Sequence, residues 1–581
     1  MSDQFAAPDN AAPGSEFDAM FSTAPATVPD PAASAGTAAV PVAFQPVKIE
    51  VAEDPEFPGK KVELDACVAQ PENAQPGACP LIVLPAPLAS VGWRAYAMFH
   101  PALQTGFMAN LASRGYVVVA YSERGLARSS GRIDVAGPRD QADGTAVLDW
   151  AAENLPAADM DRVGMGGASY GAGQSLLIAA KDPRVKAVAA MSAWGDLFES
   201  LYENQTRHMK AFYALRGLFQ TWPGAPGATP MPGPSRLNPE TEQVFQNIID
   251  NVDIPGLRAY ADRRSPVQPE FLDGLDRADL AILLCTFWHE TIFSNRAVVD
   301  LYNKLTAGPK KLVVQIGDHG NGEGTGLAGG PSRPTNAAID WFDLHLRGEG
   351  TEAEPIVVEA MPSVLTQAHR YGTWEEFVNA PVPFALGEPG ATADGTLDSQ
   401  GTESPWSRTI QVKETPAEIA DSLIFRGVRE RLGDFRRYNT ADLPRQHAAI
   451  WSSAPLDKDR RISGEVRLRL TVTPPSSAAT IVAYLFDATT AHIATPPGLN
   501  FDRIITSAAY SVLDGEPGAA VTVDVPFQLT DYIIRAGRLL RLVVDTGDEF
   551  LADANADNPD LTISSTGAEP SRLTIPIAEL D

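Results

Sequence analysis

At 581 residues, with 44% apolar, the chain is too long for one hydrophobic core and apolar enough to build two or three. A formal net charge of −27 disfavours nucleic acid and anionic lipid as partners, because both are polyanions; it keeps the surface soluble and leaves open a field that draws in cationic substrates. No uninterrupted apolar run approaches the roughly 18 residues that would suggest a membrane span. Three cysteines, Cys67, Cys79 and Cys285, are too few for a disulfide framework, and none has metal-site spacing.

In chain order, residues 1–46 are rich in Ala, Pro, Ser and Asp without period and read as a disordered tail. The start, MSDQFAAPDNAAPGSEF, lacks a basic region followed by an apolar one, so a cytoplasmic location with reduced thiols is expected. From Val47 the pattern changes. VKIEV, KKVELDACV and CPLIVLPA read as strands, ALQTGFMANLASRG as a helix and YVVVAYS as a strand. A Gly/Arg turn, ERGLARSSGR, leads to the helix DQADGTAVLDWAAENL, the strand DRVGMGG, a helix from about Tyr170, and the strand VKAVAAMSA. Short buried strands alternating with helices predict a parallel sheet covered on both faces.

Residues 197–278 break the alternation with aromatics, Pro/Gly loops and helical segments, and read as a helical cap inserted into a core of 47–196 and 279–350. The alternation resumes with LAILLCTF, SNRAVVDLYNKL, KKLVVQI and TNAAIDWFDLHLRG. In 351–581 period-two segments such as EVRLRLTVT, TIVAYLFDA and RLLRLVVDT, separated by Gly, Pro and Asp, predict an antiparallel all-β sandwich or jelly roll. No internal repeat is visible.

Gly167-Ala168-Ser169-Tyr170-Gly171 fits G-x-S-x-G between a predicted strand and a predicted helix. A nucleophile on so sharp a turn needs small neighbours two residues away. It gains an exposed hydroxyl at a helix N-terminus, where the N–H of Tyr170 faces an oxyanion. The bland alternative is a glycine-rich turn with a serine cap. Partners belong beyond the carboxyl ends of later strands. His319 follows KKLVVQI as the base, and Glu290 follows LAILLCTF as the acid, in the chain order expected of such a fold. His289 is a rival base and Asp318 a rival acid. His345, on a helix face, reads as structural.

These segments resemble the CocE/NonD hydrolases, which group cocaine-esterase-like enzymes with X-prolyl dipeptidyl aminopeptidases. The resemblance rests on GGASYGAG, the RG…SSG turn at Arg124–Gly131, Asp143 with DWAAEN, WHETIF, IGDHG, WFDLHLRG, and IWSSAPLDKDRRISGEVRLRL with the late strands. It implies an α/β-hydrolase core with a helical cap and a C-terminal jelly roll. Two positions depart from the family pattern: Glu290 stands where aspartate is usual, and Pro85–Ser90 lacks the tyrosine that often completes the oxyanion hole. A backbone N–H near Leu88, or Tyr96 reaching back, is the substitute.

The expected activity is acyl-bond cleavage by a serine hydrolase, with no metal or organic cofactor, acting on a small ester or a short peptide. Trp93, Tyr96, Trp194 and Trp288 are expected to wall a bulky apolar site, which favours an ester. A dipeptidyl peptidase must hold a free α-amine, for which Asp196, Glu199 and Glu203 are candidates; α-amino ester hydrolysis or acyl transfer is a third outcome. A non-catalytic binding protein on the same scaffold is the competing class. Assembly into a homo-oligomer is left open.

Overall fold

A computed structural model describes residues 41–88, 92–97, 106–221, 236–363, 367–412, 417–420, 422–489, 501–555 and 558–580. Most of the tail and all of the loop TWPGAPGATPMPGPS after Thr221 lie outside them. Among the described residues no helix is long and apolar enough to cross a membrane.

A ten-stranded sheet runs β1 (Val42–Glu53), β2 (Lys61–Pro71), β4 (Val117–Tyr121), β3 (Cys79–Pro85), β5 (Ala158–Ala168), β6 (Val185–Met191), β7 (Ala281–Phe287), β8 (Lys310–Gln315), β9 (Ile356–Val358) and β10 (His369–Tyr371). The middle of the sheet, β4 through β9, is parallel, as the alternation predicts. Its edges are not: β2 pairs antiparallel with both β1 and β4, and β10 with β9.

Three expectations need correction. The strand β1 begins at Val42, inside the stretch read as tail. Val42 is buried and Phe44 packs beside it, while Pro46 is tolerated because β1 is an edge strand. The parallel set runs on through β9, past Gly350 where the core was expected to end. The helix TNAAIDWFDLHLRG is regular only over Arg333–Phe342 and widens over Asp343–Arg347, where His345 lies against Trp341 with ring centroids 4.1 Å apart.

The helices Leu197–Tyr202, Met209–Thr221, Pro239–Asp250, Ile254–Asp262 and Pro269–Leu275 follow β6 and precede β7. Their apolar faces form one cluster with Tyr170 and Trp194 of the core and with Tyr484, Phe486 and Phe550 of the C-terminal region. Among the described residues that region is all-β apart from three short helical segments, Trp374–Phe377, Phe425–Arg431 and Thr440–Asp442. Its strand pairs are antiparallel except for Gly395–Asp398 beside Ala449–Ser452.

The RG…SSG turn after β4 is fixed by charge. Arg124 Nε and Nη2 donate to the two oxygens of Asp143 at 2.7 and 2.6 Å, and both side chains are buried. Burial and, against it, the arginine leave Asp143 with a pKa raised to about 6. Removing one member of such a pair leaves an uncompensated buried charge, so Asp143→Ala should destabilise the catalytic region by about 3–5 kcal/mol. Urea denaturation followed by tryptophan fluorescence checks this; an unshifted midpoint would contradict it.

Candidate active site

β5 ends at Ala168 and the helix Tyr170–Lys181 begins two residues later, so Ser169 alone makes the turn. It does so at φ 55°, ψ −117°, a strained conformation for a residue with a side chain. The helix start is pressed against the end of β3. A Cβ on Gly171 would stand 2.0 Å from the carbonyl oxygen of Pro85, and one on Gly167 would stand 2.8 Å from the carbonyl carbon of Gly171. The glycines of GGASYG are therefore a steric requirement of the bend. Tyr170, as the first helical residue, has an N–H with no intrahelical acceptor.

His319 and Glu290 stand at the ends of β8 and β7. His319 Nε2 is 2.8 Å from Ser169 Oγ, and His319 Nδ1 is 3.0 Å from Glu290 Oε1. A carboxylate only accepts, so Nδ1 carries the proton and Nε2 is left to accept from the serine hydroxyl. The same Glu290 oxygen accepts the N–H groups of Ile292 and Phe293 at 3.1 and 3.2 Å, which fixes the carboxylate plane. The imidazole is 2% exposed. Burial opposes its cation, but the Glu290 carboxylate, with Glu323 and Asp318 behind it, outweighs burial and raises the His319 pKa above the ordinary 6.5.

The rivals are accounted for. Asp318 does not reach the imidazole; it accepts from the N–H and Oγ1 of Thr291, both at 2.7 Å, from the N–H of His319 at 2.6 Å and from the N–H of Ile424 at 3.0 Å. Burial and then the neighbouring Glu290 push Asp318 up to about 7. His289 turns away, with Nδ1 2.8 Å from Glu430.

The aromatic residues divide. Trp194 and Tyr170 line a chamber beside Ser169, together with Leu88 at its rim. Trp93, Tyr96 and Trp288 do not reach it, which corrects the expectation for all three. Each carries a polar atom that binds it into the scaffold. Trp93 Nε1 donates to Asp65 at 3.1 Å. Tyr96 Oη donates to the Pro85 carbonyl at 2.6 Å and accepts the Ala168 N–H at 3.2 Å, bracing the elbow from behind and leaving no hydroxyl for an oxyanion. Trp288 Nε1 donates to the Glu359 carbonyl at 2.6 Å, and the ring stacks on Phe377.

Most of the rest of the chamber comes from the helices between β6 and β7, among them Leu201, Phe212, Phe219, Phe245, Ile248 and Leu257. Phe293 closes it against the base, its ring edge-on to the imidazole at 5.0 Å. These residues were not singled out from the sequence; the helical period of the cap marks them as apolar but not as facing the serine. Also unforeseen is Glu323, buried behind the imidazole and accepting from Ser192 Oγ. It lies on a helix, Asn321–Leu327, whose three glycines hide it from a propensity reading.

The carboxylates proposed for an α-amine are otherwise engaged. Asp196 caps the helix Leu197–Tyr202, Glu199 pairs with Arg258 at 3.0 Å, and Glu203 accepts from Ser294 and faces Arg296. None of the three lines the chamber.

A serine on a strand-to-helix elbow, with a histidine and a carboxylate at the ends of later parallel strands, is the arrangement of the α/β-hydrolases. The sequence matches the model of the X-Pro dipeptidyl-peptidase (S15) family over residues 59–321, and that of the X-Pro dipeptidyl-peptidase C-terminal non-catalytic domain over 358–574. The chain belongs to this family, that of the CocE/NonD and X-Pro dipeptidyl-peptidase-like hydrolases, and is a serine hydrolase. No curated protein sequence matches it.

Among solved structures, it is similar to a CocE/NonD family hydrolase from Staphylococcus aureus, at 15% identity and TM-score 0.65, covering 92% of this chain and 94% of that one. An aminopeptidase from a marine-sediment thaumarchaeon matches at 14% identity and TM-score 0.67, covering 96% and 99%. An α-amino acid ester hydrolase matches at 15% and TM-score 0.66, covering 96% and 100%. At these identities the likeness is one of fold.

Because the base must be neutral to accept a proton, a raised His319 pKa moves the acid limb of activity upward. The limb of kcat/KM should lie above pH 6.5, and Glu290→Gln, by removing the foremost of the charges that oppose burial, should move it downward. A pH–rate profile of both proteins reads this directly; an unmoved limb would contradict the assignment of Glu290.

Proposed function

We propose that the protein hydrolyses carboxylic esters of apolar acids through Ser169, His319 and Glu290. The observation that carries the reading is the lining of the chamber beside Ser169: leucine, isoleucine, valine, phenylalanine and tryptophan, with only tyrosine and serine hydroxyls among its described residues and no carboxylate. An acyl chain gains roughly 0.8 kcal/mol per methylene buried in such surroundings. A free ammonium would lose its hydration there without an acceptor.

In this reading His319 Nε2 takes the Ser169 proton as Oγ attacks the ester carbonyl. Glu290 holds the Nδ1–H tautomer and stabilises the imidazolium. The N–H of Tyr170 meets the tetrahedral oxyanion, and the N–H of Leu88, on the loop after β3, is the second donor. One such donor is worth on the order of 3 kcal/mol. His319 then returns its proton to the leaving alcohol, and activates water to release the acid.

The family's name and the aminopeptidase fold relative keep dipeptidyl peptidase as the second reading. The engagement of Asp196, Glu199 and Glu203 in caps and arginine pairs argues against it.

Initial rates on p-nitrophenyl acetate, butyrate, hexanoate and octanoate, beside an Ala-Pro anilide, separate the readings. kcat/KM should rise about 4-fold per added methylene while the chamber fills, with the anilide at least about 100-fold below hexanoate. Ser169→Ala should remove all of it along with fluorophosphonate labelling. A preference for acetate, or for the anilide, would sink the ester assignment.

A further inference from the structure

The two loops that carry acid and base are each fastened, at the residue just before the catalytic one, to one short helix far along the chain. That helix, Phe425–Arg431, lies within the stretch matched by the C-terminal non-catalytic domain model. Its Glu430 is 2% exposed, and Oε2 lies 2.8 Å from Nδ1 of His289, the residue before Glu290. Ile424, the residue before the helix, donates its N–H to Asp318 Oδ2 at 3.0 Å, and Asp318 precedes His319. Between these ties Gly427 is pressed onto the base loop: a Cβ there would stand 2.2 Å from the Asp318 nitrogen. Arg431 finishes the contact, donating to the Ile316 carbonyl at 3.2 Å and to Glu359 at 3.3 Å.

The backbone at this contact is under strain. Ile424 holds φ 65°, ψ −51°, a region that a β-branched residue avoids, and it does so while its N–H is aimed at Asp318. Both oxygens of Asp318 also accept from Thr291, the residue after Glu290, so the acid loop, the base loop and the helix meet at one carboxyl group.

We propose that this helix is a positioning element for the hydrolysis, with Glu430 and Asp318 as positioning residues that set the Glu290 carboxylate and the His319 ring relative to Ser169. The β region thereby takes part in holding the triad, although among its described residues no side chain bonds to Ser169 or His319. The proposal rests on the triad reading above. A shift of about 1 Å in a catalytic group costs about 100-fold in rate with little change in ground-state binding, so the effect belongs in kcat.

The test uses the full chain with Glu430→Ala and Glu430→Gln. The readouts are kcat and KM on p-nitrophenyl hexanoate, the rate of fluorophosphonate labelling at Ser169, and the melting temperature by circular dichroism. Glu430→Ala should lower kcat and the labelling rate by about 10- to 100-fold, with KM within about 2-fold. Glu430→Gln still accepts a hydrogen bond from His289 and should recover most of the loss.

If Glu430→Ala does not fold, His289→Leu, which cuts the same tie from the other end, carries the same expectation. Parent-like labelling in a folded tie-cutting variant overturns the proposal. So does a Gln variant as impaired as the Ala one. Failure of the parent itself to label at Ser169 would instead sink the triad reading.

Discussion

The site depends on one backbone contact, that of Gly171 against the carbonyl of Pro85. Because the helix Tyr170–Lys181 starts hard against β3, the chain must reverse between strand and helix in a single residue, and that residue is Ser169. The strain at Ser169 is held by the neighbours. Its N–H is tied to the Met191 carbonyl at 2.8 Å, Tyr96 bridges Ala168 to Pro85, and Trp194 fills the space where a side chain at Gly173 would stand. The outcome is a hydroxyl set at a helix N-terminus, where a developing oxyanion meets unpaired N–H groups and the positive end of the helix dipole.

Charge around the imidazole follows a second logic. Three buried carboxyl groups, Glu290, Asp318 and Glu323, surround His319. Only Glu290 is in hydrogen-bond contact with the ring; Asp318 is taken up by four donors from three segments, and Glu323 by Ser192. All three favour the imidazolium that forms when Ser169 gives up its proton. On the substrate side the arrangement is the reverse. The acids at the cap are drawn to Arg258 and Arg296, and the chamber is left to apolar side chains. One side of the serine is thus surrounded by carboxyl groups, and the other is lined by apolar side chains.

Much of this was legible in the sequence. The alternation of short apolar runs with helical segments located the parallel strands, and the strand-end rule led from Ser169 to Glu290 and His319, which the fold brings within hydrogen-bond distance of one another. The tryptophans and Tyr96 were harder. Position in the chain placed Trp93, Tyr96 and Trp288 near the strand ends, but which way a ring turns depends on where its polar atom finds a partner, and those partners, Asp65, Pro85 and Glu359, are distant in sequence. The helix Asn321–Leu327 escaped because three glycines in seven residues deny it helical propensity; packing against Thr335 and Phe287 holds it. The start of β1 was obscured by prolines that only an edge strand tolerates. The ties from Phe425–Arg431 to both catalytic loops were invisible, since they join residues more than a hundred positions apart through one N–H and one carboxylate.

The most direct test of this account is a crystal structure of the protein inhibited with a hexylphosphonyl fluoride. The phosphorus should be bonded to Ser169 Oγ, its free oxygen about 2.7–3.1 Å from the N–H of Tyr170, and the alkyl chain laid along Trp194, Phe219 and Phe245 under the cap. A phosphonyl oxygen facing away from the helix start, or a chain directed out of that chamber, would contradict it.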